Sequence, residues 1–184
     1  MAFSASEGKL FFKDWLVHVA KPLGFTRFLD VGCGAGLYCD LIREAFGRDV
    51  QIDAVEAFVE YIVRYNLKDK YDRIFMEDIR MVYDDMENYD LIVMGDVLEH
   101  MEMEDAIEVV GGLVPHCQFI WAALPIKVGR PWSTGYKQGE EEWQENKFNE
   151  HKHDWTGKEV AQYFSPLWIV PYVQTGCFLV EGER

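Results

Sequence analysis

Between Phe28 and Gly36 the chain reads Phe-Leu-Asp-Val-Gly-Cys-Gly-Ala-Gly. A short apolar run that closes on an acid and then breaks into glycines at alternate positions reads as a strand entering a tight loop. Residues 37–46 supply a helix-like segment directly afterwards, so the stretch predicts the strand–loop–helix opening of a nucleotide-binding α/β domain. Glycine suits such a loop because a side chain would hold a ligand off the backbone and because tight turns demand positive φ. The spacing then sorts cofactors. A dinucleotide fingerprint, G-x-G-x-x-G, would place its last glycine at Leu37, whereas the chain has G-x-G-x-G with Asp30 two residues ahead of Gly32. A pyrophosphate prefers free N–H groups and a helix N-terminus, but an acid at the strand end points to a cationic headgroup.

The segments that follow alternate in the βα manner of a doubly wound sheet. The spacing predicts strands at 26–31, 50–55, 73–76, 89–94 and 118–123, with helices over 59–65 and 97–110 between them. An amphipathic helix over 10–19, ended by Lys21-Pro22-Leu23-Gly24, precedes the first strand. Residues 156–164 read as a capped helix, with Thr156 as N-cap and Glu159 three positions on. Residues 167–173 and 177–181 alternate about Gln174-Thr175-Gly176 as a hairpin would. The expected architecture is therefore α/β, a Rossmann-like seven-stranded sheet, mostly parallel with a C-terminal antiparallel hairpin. One domain over 1–184 is expected, with 1–24 as an N-terminal helix or cap. Over 126–154 glycines, prolines, charges and tryptophans mix without a period, which reads as a lid over the substrate.

Asp30 through Gly36 resembles the signature loop of the class I S-adenosylmethionine-dependent methyltransferases, and the strand order implied above resembles that family's core along about the whole chain. The resemblance implies S-adenosylmethionine as cofactor, its methionine portion lying against Asp30, Gly32, Cys33, Gly34 and Gly36. Glu56, about 20 residues beyond the loop, corresponds to the family's ribose-binding acid; Asp53, inside the strand, is the second choice. Ala57 and Phe58 would flank the adenine ring. Asp78 would accept from the adenine amino group, with the Ile79 N–H facing the ring, although Asp is also a common helix N-cap. Tyr89 to His100 resembles the fourth-strand motif of small-molecule methyltransferases, which places Gly95 and Asp96 beneath the methionine part. In that motif His100 would open the next helix near the substrate, as a base or as a group orienting the acceptor; Glu99 reads as structural. His151 and His153 are the further catalytic candidates, because in this family a histidine and an aromatic before the helix that follows the lid close over the site. The same run, His151, His153 and Asp154, also has the donor types for a divalent metal, and no metal is assigned. Trp132, Tyr136, Trp143 and Phe148 would form an aromatic lid.

Composition narrows the partners. The net charge is −14, from 32 acids against 18 bases, with no basic cluster. That argues against nucleic acid as a substrate and against anionic membranes, since both demand a basic surface. No apolar run approaches the ~20 residues of a membrane span, and residues 1–8 lack the pattern of a signal peptide. The four cysteines form no C-x-x-C pair, as expected of free thiols in a cytoplasmic protein. A small-molecule methyl acceptor is the expected partner, with oligomeric state unassigned. Other uses of the same loop are an aminopropyl transferase, a non-catalytic cofactor-binding or partner-regulating protein, and a nicotinamide oxidoreductase. Val97-Leu98 interrupts the carboxylates the first would need, and Leu37 opposes the last.

Overall fold

The computed structural model describes residues 6–126, 146–171 and 175–184. Its centre is a seven-stranded sheet in the order β3-β2-β1-β4-β5-β7-β6. Strands β1 (Arg27–Val31), β2 (Gln51–Val55), β3 (Arg73–Phe75), β4 (Tyr89–Gly95) and β5 (Cys117–Leu124) run parallel, while β7 (Gly176–Glu181) lies antiparallel between β5 and β6 (Trp168–Pro171). This is the expected Rossmann-like arrangement with its terminal hairpin. Central β4 is buried from Tyr89 through Met94, as a strand covered on both faces must be. Its one acid, Asp90, is not left unpaired: it accepts from the Thr26 and Arg27 N–H groups at 2.7 and 2.9 Å and from Gln118 at 2.8 Å. Those bonds pin the starts of β1, β4 and β5 together.

Alternation along the strands feeds two cores. Leu29, Val31, Ile92, Met94 and Ile120 pack with Val109 and Leu113 of α4 (Met103–Leu113) and with Phe164 of α5 (Gly157–Phe164). Phe28, Leu91, Val93 and Trp121 pack on the other face with Phe12 and Trp15 of α1 (Ser6–Trp15) and Ile42 of α2 (Leu37–Phe46). A short helix, α3 (Glu60–Arg64), follows β2.

Two expectations needed correction, and others fall outside the described residues. The helix expected over 97–110 is broken: Leu98–His100 forms a 3-10 turn, Met101 and Glu102 are extended, and only then does α4 begin. Glu104 and Asp105 in the first turn of α4 mark its true positive end. His100 therefore closes a turn instead of opening a helix. The N-terminal helix starts before position 10 and passes at Leu16–Ala20 into a π-helical turn, closed by Lys21 N–H on the Leu16 carbonyl at 2.9 Å. The wider turn keeps both Leu16 and Ala20 buried. Of the expected lid, 127–145 lies outside the described residues, and with it Trp132, Tyr136 and Trp143. Gln174 of the expected hairpin turn also falls outside them.

Candidate cofactor and acceptor site

The strand ends of β1, β2 and β4 open onto a cavity lined along one side by Gly32, Cys33, Gly34, Glu56, Ala57, and Asp78. The glycine loop is held from behind. Gly32 N–H donates to the Val55 carbonyl at 2.8 Å, and Gly36 N–H closes the loop on the Cys33 carbonyl at 2.8 Å. The glycines do different work. Gly32 sits at φ +64°, and a Cβ there would lie 2.6 Å from the Val97 side chain. Gly34 sits at φ +51° with nothing nearer than 3.9 Å to such a Cβ. At Gly32 the absence of a side chain serves packing, whereas at Gly34 it leaves open space beside the cavity.

Glu56, only 6 % exposed, braces this loop. One oxygen accepts from the Phe58 N–H at 2.8 Å, and the other accepts from the Gly34 N–H at 2.9 Å. Burial pushes its carboxyl up, and the two backbone donors partly offset that. Asp78 is a cap and also reaches the cavity. It caps a 3-10 turn (Ile79–Met81) by accepting from the Arg80 N–H at 3.0 Å, and it lines the cavity beside Ile79. Burial alone would raise its carboxyl, but the bonds from Arg80 outweigh that and hold it low. At the end of β4, Gly95 and Asp96 complete the floor, with Asp96 at φ +54° and its N–H on the Ala123 carbonyl at 2.7 Å. A non-glycine residue held in the left-handed region beside a cavity is a common mark of a functional site. Among the described residues, four carboxylates (Glu56, Glu77, Asp78 and Asp96) line the cavity against a single arginine, Arg80, itself paired with Asp78 and Asp105. That balance fits a cationic ligand.

Residues 29–118 match the family described as Methyltransferase domain. Among solved structures, the fold resembles a magnesium protoporphyrin IX methyltransferase from Synechocystis with S-adenosylmethionine bound (TM-score 0.64, 12 % identity, 94 % of this chain and 77 % of that one). It also resembles an S-adenosylmethionine-dependent methyltransferase from Clostridium acetobutylicum (TM-score 0.66, 12 % identity, 100 % and 94 %). A Burkholderia thailandensis O-methyltransferase family protein gives TM-score 0.63 at 10 % identity over 97 % of this chain, which spans 61 % of that protein's length. No curated protein matches in sequence. The matched segment, just under half of the chain, and the fold together make it similar to the class I S-adenosylmethionine-dependent methyltransferases.

Several expected residues stand apart from the cavity. Asp30 is 1 % exposed and turns to the α1/α2 face of the sheet, where it accepts from the Tyr71 hydroxyl. Burial pushes its carboxyl up to about 7, and it supports the loop from behind without lining the cavity. Asp53, the second choice for the ribose, is fully engaged elsewhere, with Arg73 at 3.0 Å, Tyr89 at 3.0 Å and Gln51. Phe58 stacks edge-on against Tyr61, and Tyr61 is the ring that reaches the cavity. His153 packs on Trp155 with Nε2 3.5 Å from Glu159, facing α5.

His100 does line the cavity, with Met101 and Val97. Burial first, and His151 second, lower it to about 4. That is too weak for an efficient base near neutral pH, so of the two expected roles, orienting the acceptor fits better. The His151 ring meets the His100 ring edge-on, centroids 4.8 Å apart. The donor run His151, His153 and Asp154, to which no metal is assigned, does not come together as a set; among the described residues the group with ligand spacing is Glu99, His100 and His151. Sequence reasoning missed Tyr38, Tyr61, Glu77, Arg80, Asn146 and Asn149, all of which line the cavity. Tyr38, two residues beyond Gly36, was within reach of the motif; the asparagines carried no signal in the sequence.

Proposed function

We propose that this chain is a methyltransferase, transferring the methyl group of S-adenosylmethionine to a small-molecule acceptor bound beside His100. The observation that carries the reading is the shape of the acid-lined cavity. It runs from the glycine loop past Glu56 and Asp96, then onward to His100 and Met101 facing Asn146, Phe148 and Asn149. The sulfonium cofactor supplies a methyl group carried on positive sulfur, open to in-line attack by a nucleophile. The chain's own part is to bind and align. Glu56, still offering lone pairs beyond its two backbone bonds, is placed for the ribose hydroxyls. Asp96 and Glu77 balance the cofactor's charge, and Gly34 lets it approach the backbone. Positioning of this kind can supply much of the acceleration without a strong base. At the far end, His100 donates Nδ1–H to the Glu150 carbonyl at 3.2 Å, which leaves Nε2 to accept from an acceptor's proton-bearing group.

A small acceptor fits a net charge of −14, which opposes a polyanionic substrate; the Synechocystis enzyme, of like fold, acts on a porphyrin. Four buried thiols, none paired, suit a cytoplasmic setting, and no helix among the described residues is long and apolar enough to cross a membrane. One domain suffices for the cavity described. Titration calorimetry with S-adenosylhomocysteine tests the cofactor end, and transfer of a labelled methyl group to a panel of small alcohols, carboxylic acids and amines tests the rest. Micromolar binding with turnover on one class is the expected result. Absence of binding in a folded protein would overturn the reading, and binding without turnover on any class would favour the non-catalytic use of the fold.

A further inference from the structure

We propose that Glu99, His100 and His151 hold one divalent first-row cation at the acceptor end of the cavity. One ligand atom from each of the three lies within 4.8 Å of the others, the spread a single cation draws together. Two imidazoles and a carboxylate suit Mn2+, Fe2+, Co2+ or Zn2+ better than the all-oxygen shell of calcium.

Two features mark the set as more than a chance cluster. Glu99 is 2 % exposed, and its Oε2 has no hydrogen-bond partner among the described residues. A buried carboxylate oxygen without a partner is costly, and a cation beside it removes the cost. His100 is oriented as metal-bound histidines usually are. A carbonyl only accepts, so the contact between Nδ1 and the Glu150 carbonyl puts the proton on Nδ1 and the lone pair on Nε2. With the cation bound, that lone pair holds the metal, and the acceptor is oriented through the cation instead of by Nε2 directly.

The site is also pre-assembled, although its parts lie some fifty residues apart. The Glu99 carbonyl accepts from the Lys152 N–H at 2.8 Å and the His153 N–H at 3.3 Å. The Trp155 indole donates to the Leu98 carbonyl at 3.3 Å. Together with the bond from His100 to the Glu150 carbonyl, they bracket His151 and hold it against the turn that carries Glu99 and His100, before any ligand arrives.

His100 lines the cavity, so a cation on this set reaches the acceptor. Its catalytic consequence, though not its existence, rests on the methyl-transfer reading. An acceptor hydroxyl bound to the cation releases its proton to solvent more readily. Its oxygen then forms the O–C bond as the C–S bond breaks, and that electron pair returns to sulfur. The acceptor class this implies is an oxygen nucleophile.

The test is calorimetry and electron paramagnetic resonance of the metal-free protein titrated with Mn2+, on wild type, His151→Ala, Glu99→Gln and His18→Ala. His18 is exposed and remote, a control for adventitious histidine binding. One Mn2+ per chain is expected, weakened at least ~10-fold in His151→Ala and Glu99→Gln and unchanged in His18→Ala. No Mn2+ binding to wild type, or equal binding in wild type and His151→Ala, would overturn the proposal. His151 is exposed, so its variant decides the matter even if Glu99→Gln fails to fold. S-adenosylhomocysteine binding measured on the same metal-free samples separates the two readings. Nucleoside binding without Mn2+ binding removes the cation site alone, and the reverse removes the methyl-transfer reading alone.

Discussion

The two ends of the cavity are built by different means. At the cofactor end, the ligand-facing groups lie close in sequence and are held by main-chain bonds: Glu56 joins the Gly34 and Phe58 N–H groups, and Gly32 hangs from the Val55 carbonyl. At the acceptor end, the turn of Glu99 and His100 meets the segment of Asn146 to Trp155, which lies beyond α4 and β5 in the chain. The first design suits a ligand that is always held in the same way. The second lets chemistry vary by changing a few side chains on a docked segment, without disturbing the sheet.

If that contrast holds, damage at the cofactor end should abolish ligand binding, and damage at the other end should spare it. Glu56→Ala is the largest expected effect. It removes two charge-assisted bonds to the backbone, each worth about 1.5–3 kcal/mol, and with them the loop's shape. S-adenosylhomocysteine affinity should fall ~1,000-fold, about 4 kcal/mol by calorimetry. Affinity within threefold of wild type would break the comparison at its stronger end.

The two glycines sharpen it. Gly32→Ala meets Val97 as well as a positive φ, so strain and overpacking together should cost about 3 kcal/mol of stability in denaturant. Gly34→Ala has the same strain without the clash and should cost about 1–2 kcal/mol. Its methyl group, however, projects where the ligand comes close, and S-adenosylhomocysteine affinity should drop at least ~10-fold, the equivalent of about 1.4 kcal/mol. Equal stability losses in the two variants would show that Val97 yields and that packing does not explain Gly32.

How far the sequence could be read follows the same division. The seven strands, the glycine loop and the cavity positions of Glu56, Asp78, Gly95 and Asp96 were legible because apolar period and turn chemistry are local signals. Asp30 misled for a physical reason. Its position at the strand end is a local fact, but the pleat turns its side chain away, and its partner Tyr71 lies 41 residues on. The break at Met101 and Glu102 was hidden because 97–110 is uniformly compatible with helix, while the docked segment fixes the Leu98–His100 turn from outside. Nothing in the run from His151 to Trp155 says that His151 meets His100 and that His153 faces the other way.

Asp30 offers a pH test of its supporting role. Burial is the main cause that pushes its folded-state value up to about 7, above the ordinary carboxylate value near 3.9. The folded chain thus binds this proton more tightly than the unfolded one. Stability should fall as pH rises from about 4 to 7, by at most about 1.4 kcal/mol per pH unit, and then level off. Asp30→Asn, which keeps an acceptor for Tyr71, should remove that slope in a series of melting curves. Parallel curves for the two proteins would assign the pH dependence to another group.

The smallest effect belongs to the acceptor end, at the cap of α5. Thr156 accepts from the Glu159 N–H at 3.2 Å, and the Glu159 carboxylate accepts from the Thr156 N–H at 2.8 Å, a reciprocal capping box. The box sets where α5 begins, and the residue just before it is Trp155, fully buried against the Leu98 carbonyl. Thr156→Ala should cost about 1 kcal/mol, a fall in Tm of roughly 2–4 °C for a chain of this size. Because the cap touches no cofactor-facing residue, S-adenosylhomocysteine affinity should stay within twofold of wild type. The loosened segment should instead show in faster amide exchange at Lys152 and His153, whose N–H groups hold the Glu99 carbonyl. Exchange that rises at Gly34 and Phe58 to the same degree would mean that the two ends open as one unit, and that the division drawn between them is wrong.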